Sequence, residues 1–208
     1  MLDAVLLDWE GILADTRTAR RAAARAACEM HGTDSEQLDE LARRDPTLAE
    51  LVHLLASRHF RDALARGLVL QPGAGEFLQA IQPSARIGVI THATREESML
   101  ALTAAGLDAT IATIASSDDS RVPSASALIM SALSQLASVR PVNPQRVVVV
   151  AADINTLRAA RAAGVRSLAV GAPAHVALEA DGATESLVGL GAADVARIAG
   201  VPAPQRAS

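Results

Sequence analysis

Ala4-Val5-Leu6-Leu7-Asp8-Trp9-Glu10-Gly11-Ile12-Leu13-Ala14-Asp15-Thr16 decides the fold. Four apolar residues in a row read as a buried strand, because a strand covered on both faces shows no polar alternation. The run then breaks into two carboxylates and a glycine and closes on Asp15-Thr16, a helix-capping pair. Gly11 lets the chain turn away from the sheet. Strand, polar turn and helix open an α/β layer.

Four more apolar runs of the same kind follow, at 86–90, 110–115, 147–151 and 167–170. Between most of them lie helical patterns. One covers 76–81 after Pro72-Gly73-Ala74-Gly75, another 95–105 ending at Gly106, the expected residue beyond a helix end. Segment 125–136 precedes the fourth run, and 157–163 stops at Gly164. Such alternation predicts a parallel sheet with right-handed crossovers and helices on both faces.

One connection is far longer than an ordinary strand–helix loop. The residues between the first and second runs carry three helix signals of their own: 17–30 ending near Gly32, a second from Asp34-Ser35 to Arg44, and a third from Asp45 and Pro46 to Gly67. Asp45 as N-cap followed by proline at the first helical position is a strong start. The expected architecture is a Rossmann-like doubly wound parallel sheet, residues 1–14 and 71–208, with a small inserted all-helical cap domain over 15–70. The tail from 201 to 208 reads as frayed.

Composition narrows the class. The chain has 208 residues, half of them apolar, yet only two Phe, one Trp and no Tyr, so Ala, Val, Leu and Ile must fill the core. A net charge of −4 gives no basic face for nucleic acid. The single Cys28 excludes an internal disulfide and fits a reducing cytoplasm. No apolar stretch reaches the ~20 residues of a membrane span. All nineteen basic residues are arginine; the chain contains no lysine.

In open parallel sheets ligands bind beyond the carboxyl ends of the strands. The polar residues there are Asp8 and Glu10 after the first run, Thr91 and His92 after the second, and Asp153 after the fourth. Each also has an ordinary structural reading, as a loop carboxylate, a strand-end hydroxyl or a helix cap. The arginines at 20, 21, 25, 43, 44, 58 and 61 are basic enough to meet an anionic substrate, though solvated helix faces account for most of them.

Residues 4–16 resemble the first motif of the haloacid dehalogenase-like hydrolases, a strand ending Asp-x-Asp-Gly-x-Leu-x-Asp-Ser/Thr. Thr91 sits where the second motif keeps Ser or Thr. The segment 157–165 is similar to the helix after the fourth motif, and 181–187 to the closing segment. The resemblance implies Asp8 as covalent nucleophile and Glu10 as acid/base in place of a second Asp. It also implies Thr91, with His92 beside it, as ligands of the transferred phosphoryl group. The third-motif lysine has no counterpart except Arg121, which would keep the charge but present a fork instead of a point.

The fourth motif departs most. Counting back along the matching helix places Ala152 at the first acid and Thr156 at the second, with Asp153 one residue late and so on the opposite face. The metal set the resemblance implies is Asp8, Glu10 (through its main-chain carbonyl) and Asp153, holding Mg2+ weakly or not at all. Ala152→Asp is expected to strengthen it. The leading expectation is a phosphatase acting on a small phosphorylated, anionic metabolite. A metal-independent dehalogenase-like hydrolase and a catalytically inactive binding protein are the alternatives. Substrate identity and oligomeric state stay open.

Overall fold

A computed structural model describes residues 2–67 and 69–201. Six strands form one all-parallel sheet in the order β3-β2-β1-β4-β5-β6. The strands are β1 (Ala4–Asp8), β2 (Arg86–Ile90), β3 (Thr113–Ala115), β4 (Val147–Ala151), β5 (Arg166–Val170) and β6 (Gly182–Thr184). β1 lies between β2 and β4, with Asp8 opposite Ile90 and Leu7 opposite Val150. The Rossmann-like parallel sheet of the sequence reading is therefore the observed fold.

The strands bury both faces. Val5, Leu7, Val148 and Val150 point into one apolar layer, with Phe77, Leu78 and Ile81 of α4 (Ala74–Ile81), Leu102 of α5 (Arg95–Ala104) and Val195 of α9 (Ala192–Ile198). Ala4, Leu6, Val147 and Val149 point into the other, with Leu128, Ile129 and Leu133 of α6 (Ala125–Val139) and Leu157 and Ala160 of α7 (Ile154–Ala162). Side chains alternate across a strand, so an unbroken apolar run serves two layers at once. That is why β1 and β4 show no alternation.

Ahead of α4, the long β1–β2 connection carries α1 (Thr16–Glu29), α2 (Leu38–Arg44) and α3 (Pro46–Ala65). Asp45 caps α3, accepting from Leu48 N at 3.0 Å, with Pro46 in the first turn. The helices pack on one another around Ala27, Cys28 and Val52. Ala23 of α1 and Phe60 and Leu64 of α3 belong to the larger apolar cluster that also holds Trp9, Ile12 and Leu13. None of the described helices is long and apolar enough to cross a membrane.

Some elements differ from the sequence reading. β3 begins at Thr113, not 110, because Thr110 closes a turn onto Leu107 O after α5. α7 begins at Ile154, not 157, because Asp153 caps it. β6, the short α8 (Ala174–Ala177) and α9 were not anticipated; Gly-Ala-Thr has no apolar run to announce a strand. The expected fraying of the tail concerns 202–208, outside the described residues, and Val201 still hydrogen-bonds Ala196 O. At Gly182 a Cβ would run into the main-chain carbonyl of Ile198, which ends α9. Backbone cannot yield as a flexible side chain can, so Gly182→Ala is expected to cost about 1–3 kcal/mol. Urea unfolding would read this as a lowered midpoint at unchanged m-value.

Candidate active site

Asp8 is the last residue of β1 and is buried, 8% exposed. The chain then makes one wide turn, Trp9–Leu13, in which Gly11 takes φ +92°. Gly11 N donates to Ala14 O and Ala14 N to Trp9 O, both at 3.2 Å. Trp9, Ile12 and Leu13 sink into the core and anchor the turn, while Glu10 stays at its rim. An apolar framework thus presents two carboxylates at a fixed place, a usual demand of catalytic geometry.

Glu10 does not float as a solvated loop carboxylate. The Thr91 hydroxyl donates to Glu10 Oε1 at 3.0 Å and accepts from Ala93 N at 3.0 Å. Thr91 is 1% exposed, so the bond is sheltered, and Glu10 Oε2 is buried without a partner. Burial lifts the Glu10 pKa above its ordinary value; the bond from Thr91 pulls the other way, as do His92 and Arg20. A carboxyl that keeps its proton to higher pH is suited to donate it. Thr91→Val removes the donor while keeping the volume, and is expected to lower kcat roughly tenfold or more, within the range of a general acid's contribution. Thr91→Ser should retain most of the rate, and steady-state kinetics on the pair would separate the hydrogen bond from packing.

Asp153 lies against Asp8. Both line one cleft, and the Asp8 pKa is raised well above the usual carboxylate range, first by burial, then by Glu10 and Asp153 close by. Asp153 also caps α7, accepting from Asn155 N at 2.9 Å and Thr156 N at 3.0 Å. This corrects the register read from the sequence. Asp153 is not turned to the far face; it reaches the site as the N-cap of a helix that starts earlier than its apolar pattern. Ala152 packs against the layer beneath the sheet instead.

A cleft of about 820 Å3 opens over these groups. Asp8, Glu10, His92, Asp153 and Thr156 line it. Arg121 is exposed and is not among the lining residues, as the Ser120 hydroxyl ties its loop locally to Val122. The cations of the cleft are Arg17 and Arg20 of α1, with His92 beside them. Sequence reading missed Arg17, Thr94, Glu97 and Ser124. Thr94 and Ser124 are the N-caps of α5 and α6, so three helix starts, with that of α7, meet at the cleft. Helix starts of that kind favour anions, and a search for capping residues ahead of those helices would have found them.

The family model of the haloacid dehalogenase-like hydrolases matches residues 5–170. The chain belongs to that family. Among solved structures it is similar to CbbY from Rhodobacter sphaeroides in complex with xylulose-(1,5)-bisphosphate, at 24% identity and TM-score 0.75, over 94% of this chain and 99% of that one. A putative beta-phosphoglucomutase from Thermotoga maritima matches at 19% identity and TM-score 0.69, over 95% and 98%. The magnesium-bound putative hydrolase YfnB from Bacillus subtilis matches at 11% identity and TM-score 0.66, over 82% and 89%. At these identities the likeness is one of fold. No curated protein matches the sequence.

Among the described residues no group of three or more His, Cys, Asp or Glu is arranged to hold a metal ion. The donor set at the site is two facing carboxylates, Asp8 and Asp153, with the Glu10 side chain engaged by Thr91. Magnesium commonly takes one or two carboxylates and completes its shell with water and substrate phosphate. The pair fits that demand.

Proposed function

We propose that this hydrolase is a phosphatase of small phosphorylated metabolites, working through an aspartyl-phosphate on Asp8. The observation that carries the reading is the gathering of Asp8 and Asp153 in one cleft beside a sheltered Glu10. Two carboxyls pressed together need a proton or a cation between them, and magnesium held by Asp8 and Asp153 would supply charge neutralisation for the phosphoryl oxygens.

In the first step a carboxylate oxygen of Asp8 attacks phosphorus and the ester P–O bond breaks. Glu10 gives its proton to the departing oxygen. In the second step Glu10, now ionised, takes a proton from water; that water attacks the phosphorus of the acyl phosphate and releases inorganic phosphate and Asp8. Thr91 holds Glu10 on its line throughout. His92 and the starts of α5 and α6 face the anion. Arg121 can take part only if the loop ahead of α6 folds inward when substrate enters. The helices α1–α3 act as a cap over 15–70, and the bound form of CbbY with a sugar bisphosphate is in keeping with a phosphorylated substrate. Phosphate release from a panel of phosphorylated sugars and acids, with and without magnesium, tests this. No turnover of any ester with magnesium present would overturn it.

A further inference from the structure

Nothing in the sequence ranks the arginines of the long insertion. The structure does. Of those at 20, 21, 25, 43, 44, 58 and 61, only Arg20 lines the cleft over Asp8, joined by Arg17 one turn earlier on α1. Residues three apart on a helix are surface neighbours, so the two guanidinium groups leave the helix on one side.

Their environments differ in a useful way. Arg20 lies over the Phe60 ring at 4.0 Å and gives one Nη2 bond to Glu97 at 3.1 Å. Those contacts come from α3 and α5, so the guanidinium is held before any ligand arrives, which spares the ligand the cost of ordering it. A guanidinium has five donors; Glu97 uses Nη2 alone, and the Arg20 side chain is 45% exposed. Arg17 is exposed, and no hydrogen bond or ion pair fixes it among the described residues. Arg20 is also close enough to Glu10 to act on its charge, whereas the charges acting on Asp8 are those of Glu10 and Asp153. Asp8 and Asp153 thus lie together, while Arg20, with Arg17 beside it, acts on the Glu10 side of the cleft, where the two arginines outnumber Glu97.

We infer that Arg17 and Arg20 form a second anion subsite of the cleft, so that the preferred substrates are small phosphate esters whose leaving group carries its own carboxylate or phosphate. This rests on the phosphatase reading above, since it takes Glu10 to face the leaving group. It assigns the α1 arginines a task separate from the transferred phosphoryl group: they recognise the far end of the substrate.

Calorimetry with three non-hydrolysable probes in the presence of magnesium tests the subsite without turnover. The probes are n-propylphosphonate, 3-phosphonopropionate, which places a carboxylate where the first has a methyl group, and ethane-1,2-bisphosphonate. The native protein is expected to bind one or both doubly anionic probes about tenfold more tightly than n-propylphosphonate, and whichever gains more identifies the second group. In Arg17→Met and Arg20→Met the preference should fall below about threefold, while Arg21→Met retains it. Methionine at 20 keeps an apolar stem over Phe60, and Arg17 has no fixed partner to lose, so folding is preserved in at least one variant. If n-propylphosphonate binds and neither second anion adds affinity, or if both arginine variants keep the preference, the subsite is overturned and the phosphatase reading stands. If n-propylphosphonate itself does not bind, the phosphoryl site fails and the subsite with it.

Discussion

In Asp8→Asn, phosphate release is expected to fall roughly 10⁴-fold or more, the scale on which loss of a covalent nucleophile acts. The same substitution should make the metal-free protein more stable. Burial, Glu10 and Asp153 hold the Asp8 carboxyl well above the usual range in the folded state. As pH rises past about 4, an unfolded Asp releases its proton, while the folded one still keeps it. Stability contributed by the bound proton is therefore complete at low pH and lost as pH climbs towards the folded pKa. Asparagine has nothing to lose. The Tm of the variant should match the native protein at acid pH and exceed it near neutrality by at least ~2 °C, which for a chain this size is about 1 kcal/mol. Magnesium should reverse the order, stabilising the native form by mass action and not the variant. Scanning calorimetry with and without magnesium measures both; an equal Tm for the two proteins at neutral pH would mean that Asp8 ionises normally.

Asp153→Asn is expected to weaken magnesium binding about tenfold to a hundredfold, as removal of one of few carboxylates should. Asparagine is as good an N-cap as aspartate, so α7 and its bonds to Asn155 N and Thr156 N survive. Asp153→Ala should lose the metal and also about 1 kcal/mol of helix capping. The two variants separate the charge from the cap. Ala152→Asp should give no gain, because that side chain packs into the apolar layer beneath the sheet. Titration calorimetry of the three proteins decides: tight magnesium binding in Asp153→Asn would remove Asp153 from the site, and a gain in Ala152→Asp would restore the register read from the sequence.

The sheet was legible because β1 and β4 are unbroken apolar runs with an acid at or just after the end, which only a doubly covered parallel strand requires. β6 was not, since a three-residue edge strand owes its place to pairing with β5 and leaves no pattern. At the site, Asp8, Glu10, Thr91, His92 and Asp153 could be picked out as polar groups following strands. Their partners could not. The Thr91–Glu10 bond joins residues 81 apart in the chain, and Asp153 enters through a helix start that apolar periodicity places a turn too late. The α1 arginines were visible as charges, but only the packing of α1 and α3 against α5 says which of them faces the cleft.

The neighbours of β1 have a consequence for the order in which the protein comes into being. Both edges of β1, the strand that ends at Asp8, are closed by chain made much later, β2 on one side and β4 on the other. At a synthesis rate of about 5–20 residues per second, the partner carrying the path to Asp153 emerges on the order of ten seconds or more after Asp8. Throughout that interval Ala4–Asp8 is a short apolar strand with an open edge, the kind of segment that recruits other chains. The helices α1–α3 are complete before β2, and Ala23, Phe60 and Leu64 place them in the same apolar cluster as Val5 and Leu7. The insertion that furnishes the arginines of the cleft is thus also the first helical part of that apolar cluster to follow the strand ending at Asp8.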